Sequence, residues 1–142
     1  MWWVFALLSA FFAALTAIFA KIGVTGVNSD LATAIRTIVI LVVAWVIALF
    51  SNGLTGLQTN IQSLTKTNIL FLILSGLATG FSWIFYFKAL QIGKVAQVAP
   101  VDKLSVALVI ILSIVFLGET VTPKMLIGAS FIIVGTIILV LQ

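Results

Sequence analysis

Five unbroken apolar runs, each about 20 residues long, decide what this chain can become. They lie at about 2–20, 31–50, 69–90, 95–117 and 125–141. An α-helix rises about 1.5 Å per residue, so ~20 residues cross the ~30 Å hydrocarbon layer of a bilayer. No water satisfies the backbone in that layer, which leaves helices and closed barrels as the spanning solutions. Barrel strands alternate apolar and polar residues over roughly ten positions. These runs do not alternate, so helices are expected. A soluble domain needs about 25% charged residues to cover its surface. This chain is 7% charged and 63% hydrophobic. The expected fold is an all-α integral membrane bundle of five transmembrane helices, one domain over 1–142. The start, Met1-Trp2-Trp3-Val4-Phe5, has no basic n-region, and no small-residue cleavage site precedes Lys21. It is expected to be a retained first span, not a removed leader.

The residue inventory excludes several functions. Cysteine and histidine are absent, which removes disulfides, thiol catalysis and the usual zinc sites. The net charge is +4, but the seven basic residues are scattered singly. Nucleic-acid binding needs a basic run or an aromatic-basic patch, so no nucleic-acid partner is expected. There is no nucleophile–base pair, no phosphate loop and no metal constellation. Neither an enzyme nor a cofactor or metal is expected.

The connections are short, with one exception. Residues 21–30 hold Gly23, Gly26 and Asn28, and 91–94 is barely a turn. The 118–124 connection ends in Thr122-Pro123, an N-cap followed by proline at the first helical position. The exception is 51–67, where Leu54, Leu57, Ile61 and Leu64 recur at helical spacing among polar residues. Two readings of it stand open: a short amphipathic helix lying on the membrane surface, or a plain polar loop. Five spans put the termini on opposite sides. The side of the C-terminus carries Lys21, Lys88 and Lys94, the other Lys66 and Lys124. The positive-inside rule then gives a slight preference for a cytoplasmic C-terminus, in a multi-pass protein of the cytoplasmic (inner) membrane. A bias this small allows insertion in both directions.

Asp102 and Lys103 stand side by side in the fourth apolar run. A charge inside a span is costly unless paired or hydrated, and marks a functional site by default. Asp102 is about seven residues into its span and Arg36 about five into the second, ~10 Å and ~8 Å from the same side. Lys21 and Lys88 cap their helices on that side. Polar residues also share helix faces at ~100° per residue: Ser75, Thr79, Ser82 and Tyr86 on the third span, and Asp102, Ser105 and Ser113 on the fourth. Ser9 with Thr16, and Thr33 with Arg36 and Thr37, mark the first and second.

The candidate residues for binding substrate or coupling protons are therefore Asp102, Arg36, Lys103 and Lys21. Ser75, Thr79, Ser82, Trp83, Tyr86 and Ser105 are candidates for lining a path. A structural reading competes with each. Ser and Thr often bond across helix interfaces, helix-end lysines snorkel to headgroups, and an Asp102–Arg36 or Asp102–Lys103 pair would fix helix register. The excess of basic residues favours an anionic or zwitterionic small molecule. Gly76 and Gly80 form a GxxxG face some 100–140° from the polar stripe. Gly128 and Gly135, seven apart on the fifth span, make a second close-approach face.

The segment from Gly80 to Gly135 resembles the EamA family of the drug/metabolite transporter superfamily. The resemblance is carried by Gly80-Phe81-Ser82-Trp83, Tyr86-Phe87-Lys88-Ala89-Leu90, Gly93, Ala99-Pro100, Leu117-Gly118-Glu119, Gly128 and Gly135, with Lys21, Gly23 and Arg36 in the first two spans. It implies a transporter of small metabolites across the cytoplasmic membrane. Larger members look like two inverted five-helix repeats, and this chain matches one. The resemblance then implies a partner: a homodimer, antiparallel to rebuild the inverted pair, or a second half-transporter. The spacing of Gly128 and Gly135 is similar to that of the dimerisation helix of small multidrug resistance proteins. Those relatives carry an acid in their first helix, and this chain has none there. The readings from another class are a non-transporting accessory or assembly subunit, and a subunit of a flippase for lipid-linked substrates.

Overall fold

Every apolar run is helical in the computed structural model, which describes residues 1–141. Gln142, the last residue of the expected domain, lies outside the described residues. The elements are α1 (Trp2–Gly23), α2 (Ser29–Gln62), α3 (Lys66–Ile92), α4 (Val95–Asp102), α5 (Ser105–Leu112), a π-helical turn (Ser113–Leu117) and α6 (Pro123–Val140). Trp2–Gly23, Ser29–Gln62, Lys66–Ile92, Val95–Leu117 and Pro123–Val140 are long and apolar enough to cross a membrane. The fold is thus an all-α bundle of five spans, with no strand among the described residues. The chain divides into two compact units, Gly23–Gln91 and the pair of segments Met1–Ile22 and Ile92–Gln142.

In the Gly23–Gln91 unit, α2 starts where Asn28 caps it. The Asn28 Oδ1 accepts from the backbone N–H of Asp30 at 2.8 Å and of Leu31 at 3.1 Å, satisfying donors that a helix start leaves free. The end of α3 is tied to the loop that leads into α2. Gln91 Nε2 donates to the Val27 carbonyl at 2.7 Å and to that of Val24 at 3.4 Å. Val24, Phe87 and Leu90 are fully buried, and Ser29 and Thr33 are buried with them. The packed part of this unit therefore lies where α2 begins and α3 ends.

The far end of α2 turns a corner at Gly53, whose backbone is at φ 65° and ψ 172°. Only glycine occupies that region without strain. The segment after it is helical to Gln62, so the first part of 51–67 is a helix and not a plain loop. Asn52 Nδ2 donates to the Ala48 carbonyl at 2.9 Å and Asn52 Oδ1 accepts from Asn60 Nδ2 at 3.0 Å, clasping the corner from both sides. Gly53→Ala is expected to cost about 2 kcal/mol, because alanine would be forced into the same backbone region. Reversible unfolding in mixed detergent micelles measures it, and an unchanged midpoint would show that the corner relaxes freely.

In the other unit α6 packs against α4 and α5. Thr122 caps α6, accepting from the Met125 N–H at 3.4 Å, with Pro123 at the first turn. The fourth span is not one continuous helix. Pro100 brings no N–H and its ring crowds the carbonyl four residues back. Beyond it the backbone tightens. The N–H groups of Lys103 and Leu104 reach back only three residues, to Pro100 and Val101, both at 3.0 Å. Those of Val106 and Ala107 do the same toward Lys103 and Leu104, at 3.0 and 3.1 Å. Such short-range bonding within a helix often marks a hinge or strain. The span closes on Gly118, left-handed at φ 66°, with the Glu119 N–H reaching the Ser113 carbonyl at 3.3 Å.

Candidate functional site

Arg36 is the charged group with the most particular surroundings. It sits seven residues beyond Ser29, the first residue of α2, or about 10 Å along the axis. Its guanidinium carbon lies 4.1 Å from the centre of the Phe87 ring and 5.8 Å from that of Trp83. Trp83 and Phe87 are one helical turn apart, so α3 presents both rings on one face. Tyr86 stands beside them, edge-on to Phe87 with ring centres 5.5 Å apart. Arg36 Nη1 is buried and has no hydrogen-bond partner among the described residues. The only acid in the Gly23–Gln91 unit is Asp30, and its Oδ1 is engaged by Lys88 Nζ at 3.4 Å. Thr33 and Thr37, the hydroxyls nearest in sequence, donate to carbonyls of their own helix, Ser29 at 2.8 Å and Thr33 at 2.9 Å.

Asp102 and Lys103 fall where the fourth span is interrupted. Lys103 Nζ lies 3.2 Å from Asp102 Oδ2. The Asp102–Lys103 pair that the sequence left open is formed. Both side chains are partly exposed, so the pair itself holds little stability. The Pro100 carbonyl, just ahead of the break, also accepts from the buried Thr136 Oγ1 at 3.2 Å. Thr136 bonds its own helix too, at the Ile132 carbonyl at 2.8 Å. One hydroxyl thus links α6 to the weakened turn of α4.

The remaining candidates divide by surroundings. Lys21 Nζ donates to the Gly93 carbonyl at 2.9 Å. Lys88 is held by Asp30. On α3, Ser75, Thr79 and Ser82 are exposed, and Thr79 Oγ1 bonds the Ser75 carbonyl at 2.9 Å. Trp83 and Tyr86 are half-buried, and Ser105 is exposed. A methyl group added at Gly76, Gly80, Gly128 or Gly135 would meet nothing within 4 Å. Those faces are open in the single chain. Among the described residues no three or more Asp, Glu, His or Cys side chains gather as a metal site would require.

Three contributors escaped the sequence reading: Asp30, Gln91 and Thr136. Thr136 had a signal. It is one of two hydroxyl side chains in the apolar stretch 125–141, the other being Ser130, and a hydroxyl in a span usually has a partner. Asp30 and Gln91 look like ordinary loop polarity, and nothing local marks their partners.

Comparison with known proteins gives three findings. The EamA-like transporter family matches residues 1–141. A Sinorhizobium protein named "Uncharacterized transporter in cobO 3'region" is 50% identical over 139 residues, covering 97% of this chain and 95% of that protein. No solved structure matches the chain.

Proposed function

The chain belongs to the EamA-like transporter family, and on that premise we propose that it is a secondary transporter of small metabolites, working by alternating access in the cytoplasmic membrane. A multi-pass membrane transporter is the coarser statement, supported by the family match and a half-identical relative named as a transporter. The finer reading rests on one observation: the regular α-helical bonding of the fourth span gives way to a tighter turn at its own charged pair, Asp102–Lys103. Transporters place irregular backbone where it lines a cavity, because free carbonyls are tolerated only there. In this reading Asp102, Lys103, Lys21 and Arg36 meet substrate or proton. Ser75, Thr79, Ser82, Trp83, Tyr86 and Ser105 line the path, and the substrate is anionic or zwitterionic. No covalent step is involved.

One five-span chain supplies one repeat, and alternating access moves one repeat against another. The working form proposed is a dimer, with Gly76, Gly80, Gly128 and Gly135 offering close-approach faces. An antiparallel homodimer suits the weak charge bias. Two measurements test this. Reporter tags on both termini are expected to find each terminus on both sides of the membrane. A single orientation in all molecules would sink the antiparallel homodimer and point to a hetero-partner. Reconstituted vesicles are expected to show saturable uptake for at least one member of a panel of small organic acids. Absence of uptake from vesicles holding verified dimer would count against transport.

A further inference from the structure

We infer that Arg36, seated on Phe87 and Trp83, anchors the carboxylate of a small acid whose apolar body packs against the half-buried rings of Trp83 and Tyr86. The starting point is an imbalance. A guanidinium inside a span normally pairs or reaches water, and leaving a buried charge without a counter-charge is strongly unfavourable. Here Arg36 is half-buried, and its Nη1, the part shut away from water, has no acceptor among the described residues. The one acid of the Gly23–Gln91 unit is held by Lys88. The aromatic rings attract the cation through their quadrupoles, yet they cannot accept the in-plane hydrogen bonds that its N–H groups offer. What the site lacks is an anionic acceptor.

The shape of the deficiency selects the ligand. A guanidinium offers paired N–H donors in a rigid fork that matches a carboxylate. The reachable walls are the half-buried rings of Trp83 and Tyr86, with Phe87 closed off against the guanidinium, and such ring faces suit an apolar body. With Asp30 engaged, this unit holds no spare carboxylate for an ammonium group. A plain carboxylate is favoured over a zwitterion and over a cation. The same fork would take a lipid phosphate, so the two sources of an anion must be separated by experiment. The inference rests on the transporter reading, but the test reads binding alone, so failure of uptake and failure of this site give different results.

The full chain carries four tryptophans. Replacing Trp2, Trp3 and Trp45 by phenylalanine leaves Trp83 as the sole indole reporter. The protein is titrated in neutral detergent with cyclohexanecarboxylate, cyclohexanecarboxamide and cyclohexylmethylamine. Separate arms use inorganic phosphate and micelles doped with phosphatidylglycerol. The expected result is a saturable change in Trp83 emission with the carboxylate, absent with the amide and the amine. Arg36→Gln should weaken it at least about tenfold, and Arg36→Lys, which keeps charge but loses the fork, should fall between. Arg36 makes no ion pair among the described residues, so Arg36→Gln loses only its ring contacts and should still fold, with a small drop in thermal stability. Equal binding of the amide, or full carboxylate binding by Arg36→Gln, overturns the inference. So does a response to phosphatidylglycerol or phosphate that displaces the carboxylate, and so does unfolding of both Arg36 variants, which would make the residue structural.

Discussion

Phe87→Ala is expected to destabilise the chain by about 3 kcal/mol, in the range of large-to-small changes at buried aromatic sites. Phe87 is 1% exposed. In a bilayer the transfer of its side chain out of lipid contributes little, because lipid is as apolar as the core. The loss comes instead from packing: a cavity bounded by atoms that no longer have partners. Arg36 adds to it, since its guanidinium would lose the ring 4.1 Å away. Phe87→Leu separates the two contributions. Leucine fills most of the volume but has no quadrupole, and should cost about 1 kcal/mol. Unfolding in mixed micelles, followed by the protection of a buried label, reads both values. A loss under ~1 kcal/mol for alanine would mean that the end of α3 collapses around the gap.

Asp102→Asn is expected to lower uptake by about a hundredfold while leaving insertion and assembly intact. The substitution keeps size and shape and removes only charge. Stability should barely change, because the Asp102–Lys103 pair is partly exposed and such pairs hold ~1 kcal/mol or less. A bond to a charged partner made during transport is worth about 1.5–3 kcal/mol, or roughly one to two powers of ten in rate. Vesicle uptake compared at equal amounts of dimer measures the effect. The opposite pattern, normal uptake by surviving protein but failed assembly, would assign Asp102 a structural role and favour the accessory-subunit reading.

The spans were legible because burial in lipid leaves one solution for the backbone, and the apolar runs show it directly. The expected spans 2–20 and 69–90 became Trp2–Gly23 and Lys66–Ile92, longer by a turn or less at their polar ends. Thr122-Pro123 marked the start of α6 as capping chemistry predicts. The interruption of the fourth span was not read, although Pro100 and the adjacent charges were its causes. Apolar composition is blind to whether a run is continuous. Among candidate site residues, the type of residue was visible but its company was not. Arg36 stands out in the sequence by its charge, its depth and its place on one face with Thr33 and Thr37. That rings from α3 surround it depends on how two antiparallel helices turn toward each other, which no local pattern fixes. Lys21 drew attention through its charge and is engaged by a backbone carbonyl, a partner that every loop offers and no sequence advertises.

The clasp at Gly53 makes the corner of α2 insensitive to the medium. Its two members, Asn52 and Asn60, are neutral amides. Neither titrates in any physiological range, and a bond between uncharged groups is hardly screened by salt. The corner between the two helical parts of α2 is therefore set by groups indifferent to pH and to salt. The ion pairs Lys88–Asp30 and Lys103–Asp102 are partly exposed and are weakened by salt, so rising ionic strength loosens those pairs while the corner keeps a constant frame.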